Sequence, residues 1–475
     1  MLNTLKNTVW KQLVLVILAL TVFFACKQSE ETITTSPESV LRFSEDTVYF
    51  DTIFTDLKSI TKRLRVFNPN KKAVNLSTVS VSPNSRYSIS VKGKKGNQNN
   101  IQIYGGDSIY ILVTVTIDPN ESNLPFVVED SLQFKVEGLP QTQKVRLRAY
   151  GQNALFLRDA EICNTTWSDS LKPIVIINSL VVNEGCTLTI NEGVKVKFMP
   201  NSFLIVGGTL IVNGSAQHPV TFNGFRKEPE FARQSGQWGQ IVFVGGSRGN
   251  KINHAIIENA FRGIQTNIPT DDISVELSLS NTIIRSMSGT GLLAFNSKIT
   301  AWNNLIYDCA SNLSACVQGG DYKFYHNTFT YSGTVSFTNR GQGSIFADSY
   351  ENESVIRRNP LKLTLVNNVF TGNQAEEFAI SASAGNSQLV RFEKNLIRTR
   401  GTDYTLNNEI TKANNHFKAA TRFDFRPDSN SVIFNKGIYL VSPNLTPNIN
   451  TDIRGISRKP DSLSIGAYQF KPKDK

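Results

Sequence analysis

Metal and nucleophile chemistry have little raw material in this chain. Its 475 residues include four histidines and five cysteines. No Cys-x-x-Cys pair and no Cys/His cluster occurs, so no metal site and no other cofactor is expected. The histidines have no companions in a pattern that a Ser-His-Asp relay needs. There is no long run of Ala, Leu, Glu and Lys, which excludes a helix bundle. Beyond one N-terminal stretch, no segment is apolar enough to cross a bilayer as a helix. What is abundant is Phe, Val, Ile, Thr, Asn and Ser, at 40% hydrophobic and 19% charged residues. That balance is too apolar for disorder and reads as an all-β protein. Length alone suggests about three domains, although a solenoid can run long as one unit.

The first 25 residues read as a targeting signal. Lys6 and Lys11 precede an apolar run from Leu13 to Phe24, which is short for a membrane span. The run ends at Phe-Phe-Ala-Cys. This resembles the lipobox of bacterial lipoproteins and implies lipidation of Cys26 and anchoring to a membrane. Lys27-Gln28-Ser29-Glu30-Glu31 resembles the acidic export signal of some Gram-negative surface lipoproteins, which implies an outer-membrane location facing outward. Residues 26–39 are a polar tether. Removing Lys6 and Lys11 from the formal charge of +11 leaves +9 on the mature chain. A basic exported protein suits anionic polysaccharide or lipid head groups, and nucleic acid is not an expected partner.

From 40 to 152, eight short alternating runs such as SIYILVTVTI and KVRLRAYG are punctuated by NPNK, SPNS, GKKGN and DPNES. Strands at this spacing predict a β-sandwich. The sequences FDTIFT, RVFNPN and VTIDPN resemble immunoglobulin-like modules that precede repeats in bacterial surface proteins.

Within the predicted β-helix of 153–470, the stretch from His254 to Asn415 repeats a phrase of a polar residue, Asn (His in the first instance), any residue and a large apolar residue. It occurs as NHAI, SNTI, NNLI, HNTF, NNVF, KNLI and NNHF. The second position reads His254, Asn281, Asn304, Asn327, Asn368, Asn395 and Asn415. Two residues on stand Ile256, Ile283, Ile306, Phe329, Phe370, Ile397 and Phe417. A repeat of twenty-odd residues with strand-like content predicts a parallel β-solenoid. Equal positions then stack about 4.8 Å apart, so the Asn column forms an amide ladder and the Ile/Phe column fills the interior. Strict alternation in SLVVNEGCTLTINEGVKVKF and the stretch GQWGQIVFVGG resemble right-handed parallel β-helix proteins of the pectin-lyase-like superfamily. The resemblance extends to the tail, where it implies that Asp452, Gly455, Arg458 and Gly466-Ala467-Tyr468 close the last coil; residues 471–475 are a basic tail. Residues 331–361 are either an extra coil or a long loop.

Cys163, Cys186, Cys309 and Cys316 are candidate disulfide partners. Cys163 and Cys186 lie one coil apart, and Cys309 and Cys316 bracket a short loop. The hydrolases of this superfamily carry Gly-His-Gly and Arg-Ile-Lys signatures, which are absent here. Asp271-Asp272, the Asp pair within the coils, reads as a turn, His254 as a ladder member and His326 as an outward polar residue. His218 lies in a turn and His416 beside the ladder column. No residue is therefore nominated as catalytic. A binding surface is the better reading: Trp302 and Tyr325 share an outward phase one coil apart, with Lys323 beside them and Arg391 further along. These four are the candidate contacts for a glycan or an outer-membrane partner protein. Triplets such as Asp107-Ser108-Ile109 and Asp461-Ser462-Leu463 resemble an O-glycosylation sequon of exported bacterial proteins. The function so expected is a non-catalytic binding or structural surface; a polysaccharide lyase or hydrolase, or an accessory subunit of an outer-membrane complex, are the alternatives.

Overall fold

The computed structural model describes residues 32–120, 124–226, 231, 233–269, 274–335, 337, 340–413, 416–428, 430–440 and 447–471. Cys26, Asp271, Asp272 and Asn415 lie outside them. The chain divides into two compact units that meet in sequence at Gln152 and Asn153. Among the described residues, no helix is long and apolar enough to cross a membrane.

The first unit is a sandwich of two five-stranded sheets. Its strands alternate as half-buried strands must; Ser108–Val115, for example, buries Ile109, Ile111, Val113 and Val115 and turns Tyr110 and Leu112 outward. Those inner positions join Val48, Phe50, Leu64, Phe134 and Leu147 in one apolar core.

The second unit is a parallel β-helix. Its strands pair in parallel with the strands one coil before and after, and 25 described strands form one continuous ladder. They fall on three faces. Face A includes Phe203–Val206, Ile241–Phe243, Ile264–Thr266, Ser344–Ala347 and Phe378–Ser381. Face B includes Thr209–Asn213, Asn250–Asn253, Glu276–Ser280, Leu361–Val366 and Ser387–Glu393. Face C includes Lys195–Phe198, Val220–Gly224, Ala255–Glu258, Ile283–Met287 and Leu305–Cys309. Two long strands, Leu292–Trp302 and Ser314–Tyr325, bend to serve both A and B. Inward positions from all three faces make one core, including Phe198, Phe222, Ile257, Ile284, Ile306, Phe329 and Phe370.

The corner from face B to face C is where the sequence repeat lives. One residue per coil adopts a left-handed backbone: His254, Asn281, Asn303, His326, Asn367, Lys394 and Asn407, with φ between 49° and 60°. Asn tolerates this conformation because its short side chain can bond locally. The next residue builds the ladder. Asn304 Nδ2 donates to Asn327 Oδ1 at 2.9 Å, Asn327 to Asn368 at 3.0 Å, Asn368 to Asn395 at 3.0 Å and Asn395 to Asn408 at 2.9 Å. Each of those four donors also reaches a backbone carbonyl: Leu279, Ala301, Phe324 and Leu365 respectively. Each Oδ1 further accepts the backbone N–H of the preceding rung, as Asn327 Oδ1 does from Asn304 at 3.0 Å. A buried amide with all its groups used adds stability and fixes register, because slipping one residue would orphan several groups at once.

Two expectations are corrected here. His254 and Asn281 belong to the left-handed column, not to the ladder; Ala255 and Thr282 occupy the ladder column on those coils, with Asn304 Oδ1 accepting from the Thr282 backbone at 2.9 Å. The final described rung is Asn408. The interior column shifts with it. Ile257 and Ile284 are fully buried, whereas Ile256 and Ile283 face outward and are half-buried. Phe417 packs in a separate cluster against Phe425.

Residues 331–361 are neither an extra coil nor a structureless loop; they belong to the single coil between Asn327 and Asn368. They contain the face A strand Ser344–Ala347 and a hairpin of Ser349–Asn352 with Val355–Arg358. At the N-terminal end, Cys163 and Cys186 form a disulfide across one coil. Gly208 sits where a Cβ would lie 2.2 Å from the Cys186 carbonyl oxygen, so only glycine fits that corner. Cys309 and Cys316 are not bonded to each other; both are buried free thiols in the apolar core, with their side chains directed away from solvent.

The C-terminal segment does not close the last coil. It runs back along the flank as a strap. Thr451 O accepts from Asn303 Nδ2 at 2.7 Å, the Ala467 N–H donates to Thr328 Oγ1 at 3.0 Å, and Asn367 Nδ2 donates to Ile438 O at 2.7 Å. Its apolar residues Phe425, Ile433, Ile453 and Ile465 cover Leu305, Tyr307, Val369 and Leu396 on the outside of face C.

Candidate functional site

Face B presents three outward columns. The first runs Glu276, Lys298, Asp321, Lys362; the second Lys251, Ser278, Thr300, Lys323, Thr364, Arg391; the third Asn253, Ser280, Trp302, Tyr325, Val366. The sequence phase of Trp302, Tyr325, Lys323 and Arg391 is therefore met, and Trp302 is the in-register strand partner of Tyr325. Their exposure is not. Both rings are 8% exposed, packed with Val366 beneath Leu440 and Ile449 of the strap. The expected pair of open aromatic platforms is absent because a segment over a hundred residues downstream occupies it. Burial raises the Tyr325 hydroxyl pKa against the opposing charge of nearby Arg391. Arg391 itself is engaged by Glu393.

What remains open beside the covered rings is a groove of about 350 Å³. Its floor holds Lys251, Ser278, Thr300 and Lys323; Glu276, Lys298 and Asp321 form one side, and Trp302 lines the other. Glu276 and Lys298 pair at 3.5 Å. Lys251 and Lys323 are exposed and have no acidic partner among the described residues.

Face C carries a charged column that the sequence reading missed. Lys197, Asn223, Glu258, Arg285 and Tyr307 stand on successive coils. Asn223 Nδ2 donates to Glu258 at 3.0 Å, Arg285 Nε to Glu258 at 2.7 Å, and Arg285 Nη1 to the Tyr307 hydroxyl at 2.9 Å. Burial pulls the Lys197 amine down to about 8, with Glu258 opposing the shift. The sequence signal is weak, since successive members of the column lie 35 and 27 residues apart.

A third charged cluster is closed to ligands. Arg340 and Glu377 form a bidentate pair at 2.6 and 2.9 Å with both side chains fully buried, and Arg340 lies 3.7 Å from the Tyr331 ring centroid. Glu377 also accepts the Gln374 and Gly343 N–H groups. A buried pair so thoroughly bonded ties the 331–343 corner to the 371–377 corner, a structural task. Among the described residues no group of three or more His, Cys, Asp or Glu is arranged to hold a metal ion. His326 is buried rather than outward, with its Nε2 2.9 Å from Asn367 Nδ2. His218 is exposed, 3.9 Å from Glu192.

Residues 162–271 match the model of the pectate-lyase-like beta helix domain, in agreement with the parallel coils found there. A stretch of 105 residues is 32% identical to Protein bark beetle of Drosophila melanogaster, covering 22% of this chain and 3% of that protein. Among solved structures, a family 123 glycoside hydrolase from Clostridium perfringens aligns over 25% of this chain and 26% of its own, at 10% identity and a TM-score of 0.19. A Porphyromonas gingivalis protein of unknown function aligns over 26% and 60%, at 12% identity and a TM-score of 0.19. The second unit is thus a parallel β-helix with a pectate-lyase-like stretch at its N-terminal end.

Proposed function

We propose that this chain is an envelope lipoprotein, attached through Cys26, whose β-helix is a non-catalytic glycan-binding surface. The observation that carries the binding part is the groove on face B, an open polar channel across consecutive coils with two unpaired lysines on its floor. A rigid sheet loses little conformational freedom when it binds, so even modest contacts yield net affinity. The test is a glycan array probed with the full chain and with a Lys251→Glu/Lys323→Glu variant. Binding that the variant loses supports the reading; no binding by the wild type to any glycan overturns it. Attachment is tested separately by Cys26→Ala and cell fractionation. A variant that stays membrane-bound and incorporates labelled palmitate defeats the anchoring part.

One observation favours a second reading, that of a polysaccharide lyase or hydrolase. An amine with its pKa near 8 is available as a base at mildly alkaline pH, and Lys197 has such an amine on the same column as Glu258, with Asn223 between them. Incubation with a polysaccharide library, followed by assay for new reducing or unsaturated ends, decides it. Products that vanish in Lys197→Met would replace the binding reading with the catalytic one.

A further inference from the structure

We propose that the face B groove reads a linear, hydroxyl-rich polymer lying along the helix axis, with anionic groups spaced by about three coils. This rests on the glycan-binding reading and adds the ligand's charge pattern. Lys251 pairs in register with Ser278, Ser278 with Thr300, and Thr300 with Lys323. The two lysines are therefore three coils apart, about 14 Å at the strand spacing of a sheet. Between them lie two hydroxyls that both donate and accept, and no charge. The floor asks for an anion, a neutral hydroxylated stretch, and a second anion.

The sides of the groove narrow the class further. Glu276 and Asp321 flank the floor on the first column, and carboxylates only accept hydrogen bonds. They suit ligand hydroxyls and repel a second line of negative charge. Lys298, next to them in the column, is already held by Glu276. A densely charged chain, such as a nucleic acid or a heavily sulfated glycan, would bring anions against these carboxylates; a sparsely charged sugar chain would not. The opposite side stands high because Leu440 and Ile449 are packed on Trp302 and Tyr325. That ridge directs a long ligand along the coils rather than across them.

The experiment is calorimetry on the full chain with three oligosaccharide series of two to eight residues. One alternates uronic acid with a neutral amino sugar, one is a neutral β-linked glucan, and one is heparin-derived. The expected result is a gain on the order of tenfold when the uronate series becomes long enough to span both lysines. Lys251→Ser and Lys323→Ser, alone or together, should each abolish that gain. Because both residues are exposed, the variants should keep the wild-type melting temperature. Three results would overturn the charge pattern: neutral chains binding as tightly as the uronate series, the heparin series binding tightest, or a length gain that survives both substitutions. An acidic peptide that binds more tightly than every oligosaccharide would overturn the polymer class. Neutral chains that bind independently of both lysines would leave the glycan-binding surface standing, whereas no binding in any series would remove that reading too.

Discussion

The Arg458 guanidinium donates from Nη2 to the Oδ1 of Asn303, 155 residues earlier, at 2.9 Å. The same group donates to the carbonyls of Gly466 at 2.9 Å and Ser464 at 3.3 Å. Among the described residues no carboxylate is hydrogen-bonded to it, and burial lowers its pKa to about 10. Arg458 therefore joins the strap to the left-handed column through neutral acceptors alone. Arg458→Ala would leave a void and unpaired carbonyls, at a cost of about 3–5 kcal/mol. The expected outcome is a lower melting temperature and new protease cleavage within 447–470. An unchanged digestion pattern would mean the strap is held by its apolar contacts instead.

An internal rung of the amide ladder should cost more to remove than the terminal one. Asn327→Ala strips the partners from Asn304, Asn368 and Ala301 O, all buried. A loss of about 3–5 kcal/mol is expected from several unsatisfied groups. Asn408→Ala, at a partly exposed end, should cost about 1 kcal/mol. Chemical denaturation of the two variants measures the difference, and equal losses would contradict the ladder as a stabilising unit.

The one-residue register can be tested with two adjacent isoleucines. Ile284 is fully buried, while Ile283 is half-buried on the outer side. Ile284→Ala should destabilise by about 2–5 kcal/mol through the cavity it leaves. Ile283→Ala should cost less than about half of that, since it removes only partial burial. The reverse order would return Ile283 to the interior.

Acid sensitivity should trace in part to His326. Burial, and then the nearby Arg458 charge, hold its pKa well below the ordinary histidine value. The folded state therefore keeps this ring neutral, while the unfolded chain takes up a proton near pH 6.5. Its contribution is fully present above that pH and is lost progressively as pH falls towards the folded pKa. His254 and His416 are also shifted down by burial and add to the slope. His326→Asn, which installs the residue found at Asn303 and Asn367 of the same column, should flatten the pH dependence of stability below about pH 6.5. An unaltered slope would show that the imidazole does not sense the fold.

The repeat and the parallel β-helix it implies were legible because both depend on spacing along the chain; the same spacing made Cys163–Cys186 one of the possible pairings without selecting it. Register was less so. Ile256-Ile257 and Ile283-Ile284 are apolar at both positions, so alternation could not say which faced inward, and the phrase slipped by one residue on those coils. The outward phase of Trp302 and Tyr325 was readable for the same reason that Lys323 was: strands alternate. Their burial was not, because the cover comes from Leu440 and Ile449, whose partners no local pattern announces. The Lys197 to Tyr307 column escaped notice because corner loops of unequal length break its spacing, although in space the residues are neighbours.

The strap also changes how the β-helix would respond to a pulling force. A stack of coils touching only their neighbours yields one coil at a time, each step breaking one set of contacts. Here the strap bonds to Asn303, Thr328 and Asn367, which sit on three successive coils. Load entering at one coil is shared with the next two, so those coils must slide together rather than peel singly. The central turns should therefore behave as one mechanical element, and unravelling under tension should begin in coils outside that span.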